Sequence, residues 1–298
     1  MKQGEAKRYI SSETVVAQPL KKRKNLFSRL GWQAKLGAVI IVAFALIAIF
    51  APVIATHDPT EIIMRRNFQP PCSEHIFGTD DMGRDIFSRV IFGTRISLTV
   101  GILATFFGAS VGIFVGIMSG YYGKRVDATI MRIIDIVMAF PGMLLAIVIV
   151  SILGASTETL IIALIISMIP SYARIVRGST LTVRKLEYID AIRAIGAPDR
   201  RIIFRHVLPN VLAPIVVQAT LTVATSIVAA SALSFLGLGT QPPIPEWGNM
   251  LSSGREFLWR APHMMYFPGL AIFLVVLGFN LFGDGLRDAL EPKQQAKN

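Results

Sequence analysis

Apolar residues along this chain do not alternate with polar ones. They gather in uncharged runs separated by short charged segments. Crossing about 30 Å of hydrocarbon at about 1.5 Å per helical residue takes roughly 20 residues. Six regions meet or approach that length: 36–55, a stretch within 96–123, one within 136–157, 159–173, one beginning near Val211, and one within 261–283. The fourth is short, and gains length from Ile175 and Val176 if Arg174 extends its guanidinium to the interface. Lipid leaves every backbone N–H and C=O to be satisfied internally, and the runs lack the two-residue alternation of barrel strands. The pattern therefore predicts an all-α polytopic membrane protein with six transmembrane helices.

Composition agrees. The 298 residues are 53% hydrophobic and 16% charged, with a mean hydropathy of +0.57. Soluble proteins carry about a quarter charged residues, so an ordinary soluble domain is excluded, and so is a disordered chain. A net charge of +11 would point to nucleic acid in a soluble protein, but the placement of the charges changes its meaning. With the N-terminus inside, the inner segments hold 23 of the 30 Lys and Arg, so the positive-inside rule puts both termini in the cytoplasm. The N-terminal basic stretch KKRKNLFSRLGWQAK also resembles the start of a secretory leader. A polar lead of about 34 residues before about 20 apolar ones fits an uncleaved span better. Cys72 is alone and leaves no intrachain disulfide. The expected organisation is a cytoplasmic tail over 1–34, a first helix with an extracytoplasmic segment over 35–95, a transmembrane core over 96–285 that contains a cytoplasmic loop at 177–210, and a second tail over 286–298.

Within the spans, Ala104, Gly108, Gly112, Gly116 and Gly120 recur every four residues. They form a small-residue face suited to close helix packing. Arg132 and Asp135 stand at a predicted boundary where they can pair or snorkel, and Pro141 should kink the third span. In the fifth span Gln218, Thr222, Thr225, Ser226 and Ala229 share one side. An amide in lipid is costly, so Gln218, Thr222 and Ser226 either bond between helices or line a translocation path.

The stretch 177–210 reads RGSTLTVRKLEYIDAIRAIGAPDRRIIFRHVLPN. Leu186, Ile189, Ile192 and Ile195 recur every three residues, predicting a short amphipathic helix. Gly196 is its expected C-cap, Pro198 and Asp199 open a second helix, and Pro209 should stop it. Such a helix pair forms a compact projection.

At these residues the chain resembles the permease subunits of bacterial ABC importers, whose cytoplasmic loop follows the pattern EAA, three residues, G, nine residues, I, any residue, LP. Asp190, Ala191 and Ile192 take the EAA positions, Gly196 the glycine, and Leu208 and Pro209 the final pair. Asp replaces Glu, Ile the second Ala, and His206 the Ile. FGTDDMGRDIFSRVIFGTRISL at 77–98, SALSFLGLGTQPPIPEWGNML at 231–251 and FNLFGDGLRDALEP at 279–292 resemble the C-type permease of the dipeptide, oligopeptide and nickel branch. The resemblance implies the type I ABC importer permease architecture: a channel half that pairs with a second permease subunit and two cytoplasmic ATPase subunits, and is fed by an extracytoplasmic solute-binding protein. It further implies that Asp190, Ala191 and Gly196 shape a coupling projection, and that Ala197, Pro198, Asp199, Arg200 and Arg201 approach the ATPase. ATP and Mg are then expected on the partner subunits, with no cofactor in this chain.

The sequence carries no G-x-x-x-x-G-K-[ST] phosphate cradle, H-E-x-x-H or G-x-S-x-G, so no ATPase or hydrolase activity is expected of it. His57, His75, His206 and His263 are scattered along the chain, and none forms a metal-ligand pair by spacing. The expected function is the channel-forming subunit of an ATP-driven importer of di- or oligopeptides in a bacterial inner membrane. A nickel or glutathione importer of the same family is an alternative. An ion-coupled secondary transporter is the alternative from another class, for which only Asp135 supplies a nearby ionisable group.

Overall fold

The computed structural model describes residues 30–290. Most of the expected N-terminal tail, and the C-terminal tail from 291 onward, lie outside the described residues. Five helices are long and apolar enough to cross a membrane. They are α1 (Trp32–Ile49), α3 (Ile86–Tyr122), α6 (Thr157–Arg184), the run from Asp199 to Phe235, and α11 (His263–Leu290). The short α2 (Ala51–Ile54) follows α1. No strand occurs among the described residues.

The third span departs from expectation. It is a broken pair, α4 (Lys124–Met138) and α5 (Gly142–Leu153), bent by 82°. Pro141 has an extended backbone, φ −56° and ψ 128°, and lacks the amide that would continue the ladder. α5 alone has 12 residues, about 18 Å at the helical rise, so the pair makes a sixth span only if α4 contributes. α4 is amphipathic rather than part of a connecting loop. Asp127 holds it down, accepting from Arg177 Nε at 2.5 Å and Nη2 at 2.6 Å and from the Ser119 hydroxyl. Asp135 takes Arg174 as its partner, at 2.5 Å, and not Arg132.

Helix ends follow local chemistry. Asp85 caps α3 by accepting from Ser88 N, and α3 ends at Gly123, whose φ of +62° a side chain would resist. Ser156 caps α6 in the same way through Thr159 N. Beyond α6 come α7 (Glu187–Ala194), α8 (Asp199–Ile202), a π-turn over Ile203–Val207 and α9 (Leu208–Phe235). Pro209 does not stop this run, contrary to the sequence expectation. The wider π-turn lies just before it, where the ring of a proline would otherwise strike the carbonyl four residues back.

Small residues set the packing. α3 and α6 run parallel in register: added Cβ atoms on Gly108, Gly116 and Gly120 would meet Met168 Cβ at 3.4 Å, Ala173 O at 2.6 Å and Thr180 Cβ at 2.8 Å. The glycine face is a packing ridge, as its spacing predicts. α1 and α11 approach the same way, with Gly37 against Gly278 O at 2.6 Å. Three apolar clusters result, one around Trp247, Ile86 and Met264, one around Val100, Leu160 and Leu233, and one around Ile117, Val176, Ile189 and Val207.

Candidate functional site

The last cluster carries the 187–202 projection. Leu186 leads into α7, and Ile189 turns fully into the core while Asp190 and Ala191 stay exposed. Gly196 N donates to Arg193 O at 3.0 Å and Ala197 N to Ile192 O at 3.3 Å. This is the Schellman pattern that satisfies the last carbonyls of a helix. It needs a left-handed residue, and Gly196 has φ +83°, so the expected cap is present. Pro198 is the extended residue ahead of α8, and Ile202, Ile203 and Val207 bury the opposite side.

Two hydrogen bonds fasten the projection to the bundle. Tyr121 OH, at the end of α3, donates to Asp199 Oδ1 at 2.6 Å, and the Arg193 guanidinium lies 5.9 Å from the Tyr121 ring centroid. Asn210 Nδ2 donates to Tyr188 OH at 3.2 Å, tying α7 to the start of α9. Asp190 pairs with Arg193 at 3.0 Å on the exposed side. The outer face presents Ile195, 84% exposed, and Phe204, 62% exposed. Pro198, Arg200, Arg201 and Phe204 line a shallow hollow of about 400 Å³. The three-residue period groups Ile195 with Ile189 on one apolar face, and only burial separates the two, Ile189 being covered and Ile195 exposed; Phe204 carries no signal in the motif.

The three residues of the polar stripe go to two environments. Gln218 lines a cavity of about 320 Å³ with Ile175, Pro214, Leu221 and Arg287, between α6, α9 and α11. Thr222 and Ser226 are buried. Ser226 Oγ is 3.0 Å from Thr105 Oγ1 on α3 and donates to Thr222 O at 2.6 Å, and Gln218 Nε2 donates to Thr222 Oγ1 at 3.3 Å. Thr225 is exposed and does not share their face.

At the opposite end of the bundle, the segment between α2 and α3 folds into a polar knot. Asp80 Oδ1 accepts from Met82 N and Arg84 N, each at 2.9 Å, and Oδ2 accepts from Arg84 Nε at 2.6 Å. Burial and the adjacent Asp80 charge push the Asp81 carboxyl above its ordinary range. Phe77 stacks on Phe267 at 3.9 Å, and His263 Nε2 is 3.1 Å from Thr79 O. Beyond α9, Glu246 caps α10 (Trp247–Gly254) through Gly248 N and Asn249 N, both at 2.9 Å. Its burial raises the carboxyl pKa, and the two N–H groups oppose that shift. The knot also gathers His57, His75 and Asp85, which sequence spacing kept apart.

A polytopic helical bundle with a stiff helix pair projecting from one end has the build of a transporter subunit. Residues 112–295 match the family described as binding-protein-dependent transport system inner membrane component, and residues 33–71 match the N-terminal TM domain of oligopeptide transport permease C. The chain belongs to this family, the permease subunits of ABC importers, in its dipeptide and oligopeptide branch. It is 51% identical over 263 residues to the dipeptide transport system permease protein DppC of Alkalihalophilus pseudofirmus, covering 88% of this chain and 86% of that one. It is also 51% identical over 261 residues to the glutathione transport system permease protein GsiD of Shigella flexneri, covering 87% and 86%. Among solved structures, the inward-facing MetNI methionine ABC transporter matches with TM-score 0.55 and 22% identity, over 70% of this chain and 98% of that one. An amino acid ABC transporter matches with TM-score 0.52 and 16% identity, over 66% and 92%. Both support the type I permease fold. The protein is a multi-pass component of a bacterial inner membrane.

Proposed function

We propose that this chain is one channel-forming half of a peptide importer, and that its 187–202 projection receives the motion of a cytoplasmic ATPase. The observation that carries the proposal is the fastening of that projection: the Schellman cap at Gly196, the buried Ile189 and Ile202, and the Tyr121–Asp199 bond join it rigidly to α3 and α9. A load applied at Ile195, Pro198 or Phe204 is then transmitted to the helices rather than absorbed by a loop. Asp190, Ala191 and Gly196 shape the lever, and Ala197 through Arg201 meet the ATPase. ATP and Mg belong to two such partner subunits, the other channel half is a second permease, and cargo arrives from an extracytoplasmic binding protein. The basic-residue split supports cytoplasmic termini and a cytoplasmic projection. The proposed division at 35–95 and 96–285 is functional rather than structural, since α3 (from Ile86) crosses the first boundary and α11 (to Leu290) the second.

Short peptides are the proposed cargo because relatives at equal identity are named for dipeptide and for glutathione, itself a short peptide. Gln218 borders the path on the side of the projection, with Thr222 and Ser226 behind it as the path's packed wall. Ion coupling is disfavoured, since the central parts of α1, α3, α9 and α11 carry no Asp, Glu, Lys, Arg or His, and Asp135, near the end of α4, is paired with Arg174 of α6 at 2.5 Å. Purification of the complex from its native membrane tests the reading. ATPase subunits and a second permease should co-purify, and their ATP hydrolysis should rise when peptide-loaded binding protein is added. Isolation of this chain without any ATPase would contradict it.

A further inference from the structure

His57, His75 and Asp85 come from three separate segments: the chain just after α2, the middle of the knot, and the N-cap of α3. One donor atom from each lies within 4.8 Å of the other two. His75 Nδ1 is 2.9 Å and His57 Nδ1 3.9 Å from the same oxygen, Asp85 Oδ1. The two imidazoles face each other at 4.7 Å between centroids. Ligands bound at about 2.1 Å in a tetrahedron stand about 3.4 Å apart, so the observed spacings bracket the metal-bound value.

The surroundings fix these donors. Asp85 Oδ2 is committed to Ser88 N at 2.8 Å, which leaves Oδ1 as a single aimed ligand. The Ser88 hydroxyl in turn accepts from His57 N at 3.0 Å, holding that backbone against α3. His75 is set from both sides, its N–H on Cys72 Sγ at 3.3 Å and its carbonyl accepting from Cys72 N and Gly78 N at 2.9 Å. Two contacts would have to yield. Thr56 Oγ1, 3.0 Å from His57 Nδ1, would rotate away. Arg66 Nη1 is 3.5 Å from His75 Nε2 but has its strong partner in Glu74 at 2.5 Å, so Nε2 can carry the ring proton without losing a good bond.

We propose that His57, His75 and Asp85 bind one divalent transition-metal ion of the zinc class, which pins the extracytoplasmic segment to the start of α3. Two imidazoles and a carboxylate suit zinc, cobalt or nickel rather than calcium or magnesium, which take oxygen sets. A hydrogen-bonded Asp–His pair accounts for His75, while His57 Nδ1 keeps Thr56 Oγ1 at 3.0 Å and still stands only 3.9 Å from the same carboxylate oxygen, near enough for one ion to take the place of the threonine. The ion is structural rather than cargo. His75 and Asp85 are buried, and the site sits at the end of the bundle opposite the cavity that Gln218 lines. His57, with a side chain 27% exposed, leaves an entry path and a position for water.

The test uses the full-length chain, purified in detergent with its accompanying subunits on a histidine-free tag. Cobalt(II) titration should give a visible d–d absorption band saturating at one equivalent per chain and abolished by zinc. Zinc should raise the unfolding midpoint by several degrees. Both responses should disappear in His57→Gln, whose side chain is the most exposed of the three and the least needed for folding. Both should persist in Cys72→Ser, which separates this site from thiol binding. Absence of a stoichiometric band in the wild type, or an equal band in His57→Gln, would overturn the proposal and leave a hydrogen-bonded cluster.

Discussion

At Gly196 the backbone alone dictates the residue. Its φ is +83°, yet a Cβ there would meet nothing within 4 Å, so the constraint is conformational and not steric. Gly196→Val should cost about 1–2 kcal/mol of local strain and mis-aim α8. Peptide uptake should fall at least tenfold while membrane insertion and assembly are kept, whereas Gly196→Asn, tolerant of this conformation, should retain most uptake. Near-normal uptake by the valine variant would remove the rigid cap from the account. Glu246 is constrained in the other way, by partners. Glu246→Ala orphans the N–H groups of Gly248 and Asn249 and should destabilise the protein by about 1–3 kcal/mol. Glu246→Gln keeps an acceptor and should cost less, as a falling thermal midpoint for alanine alone would show. The sequence makes Gly196 legible because a periodic helix ends there before a proline. It leaves Glu246 opaque, since a lone acid in a loop carries no periodic signal and its partners are two backbone N–H groups and the Ser97 hydroxyl, 149 positions away.

Among elements, the α3 ridge gives the sharpest gradient. Gly108→Ala places a methyl at ordinary contact distance, 3.4 Å from Met168 Cβ, whereas Gly116→Ala drives one to 2.6 Å from the Ala173 carbonyl. The first should be neutral within about 0.5 kcal/mol, and the second should cost about 1–3 kcal/mol as α6 is pushed away. Thermal unfolding in detergent compares them, and equal midpoints would mean that the ridge does not set the helix spacing. The four-residue period made this ridge readable in advance, because helical repeats and glycine size are both local properties. The bend between α4 and α5 is only half legible in the sequence. Pro141 announces a kink but not its 82° angle, and the pairs that tie α4 to α6, Asp127 with Arg177 and Asp135 with Arg174, join residues distant in sequence. The continuity through Pro209 is hidden from the sequence for a related reason. A proline marks where a helix ladder is interrupted, but not that a preceding π-turn will absorb the interruption.

For the whole molecule, hydropathy carries the placing of the long apolar helices, while the knot between α2 and α3 depends on pairings that no period records. His57 and His75 illustrate this: their separation of 18 positions has no meaning until the segment folds back on Asp85. The two ends of the bundle therefore differ in how they are built, a helical lever fastened to apolar residues at one and a polar knot at the other. If the lever receives ATPase motion, Tyr121→Phe should slacken it by removing the bond to Asp199. Hydrolysis by the assembled complex would then continue while peptide delivered per ATP falls severalfold. A parallel fall in both rates would instead indicate loss of assembly. The central claim is tested most directly by peptide uptake into proteoliposomes containing the complete complex, with binding protein outside and ATP sealed inside. Uptake should require internal ATP, and charge reversal at Arg200 and Arg201 should abolish it while leaving the permease inserted. Uptake driven by a proton gradient in vesicles that lack the ATPase subunits would contradict the account.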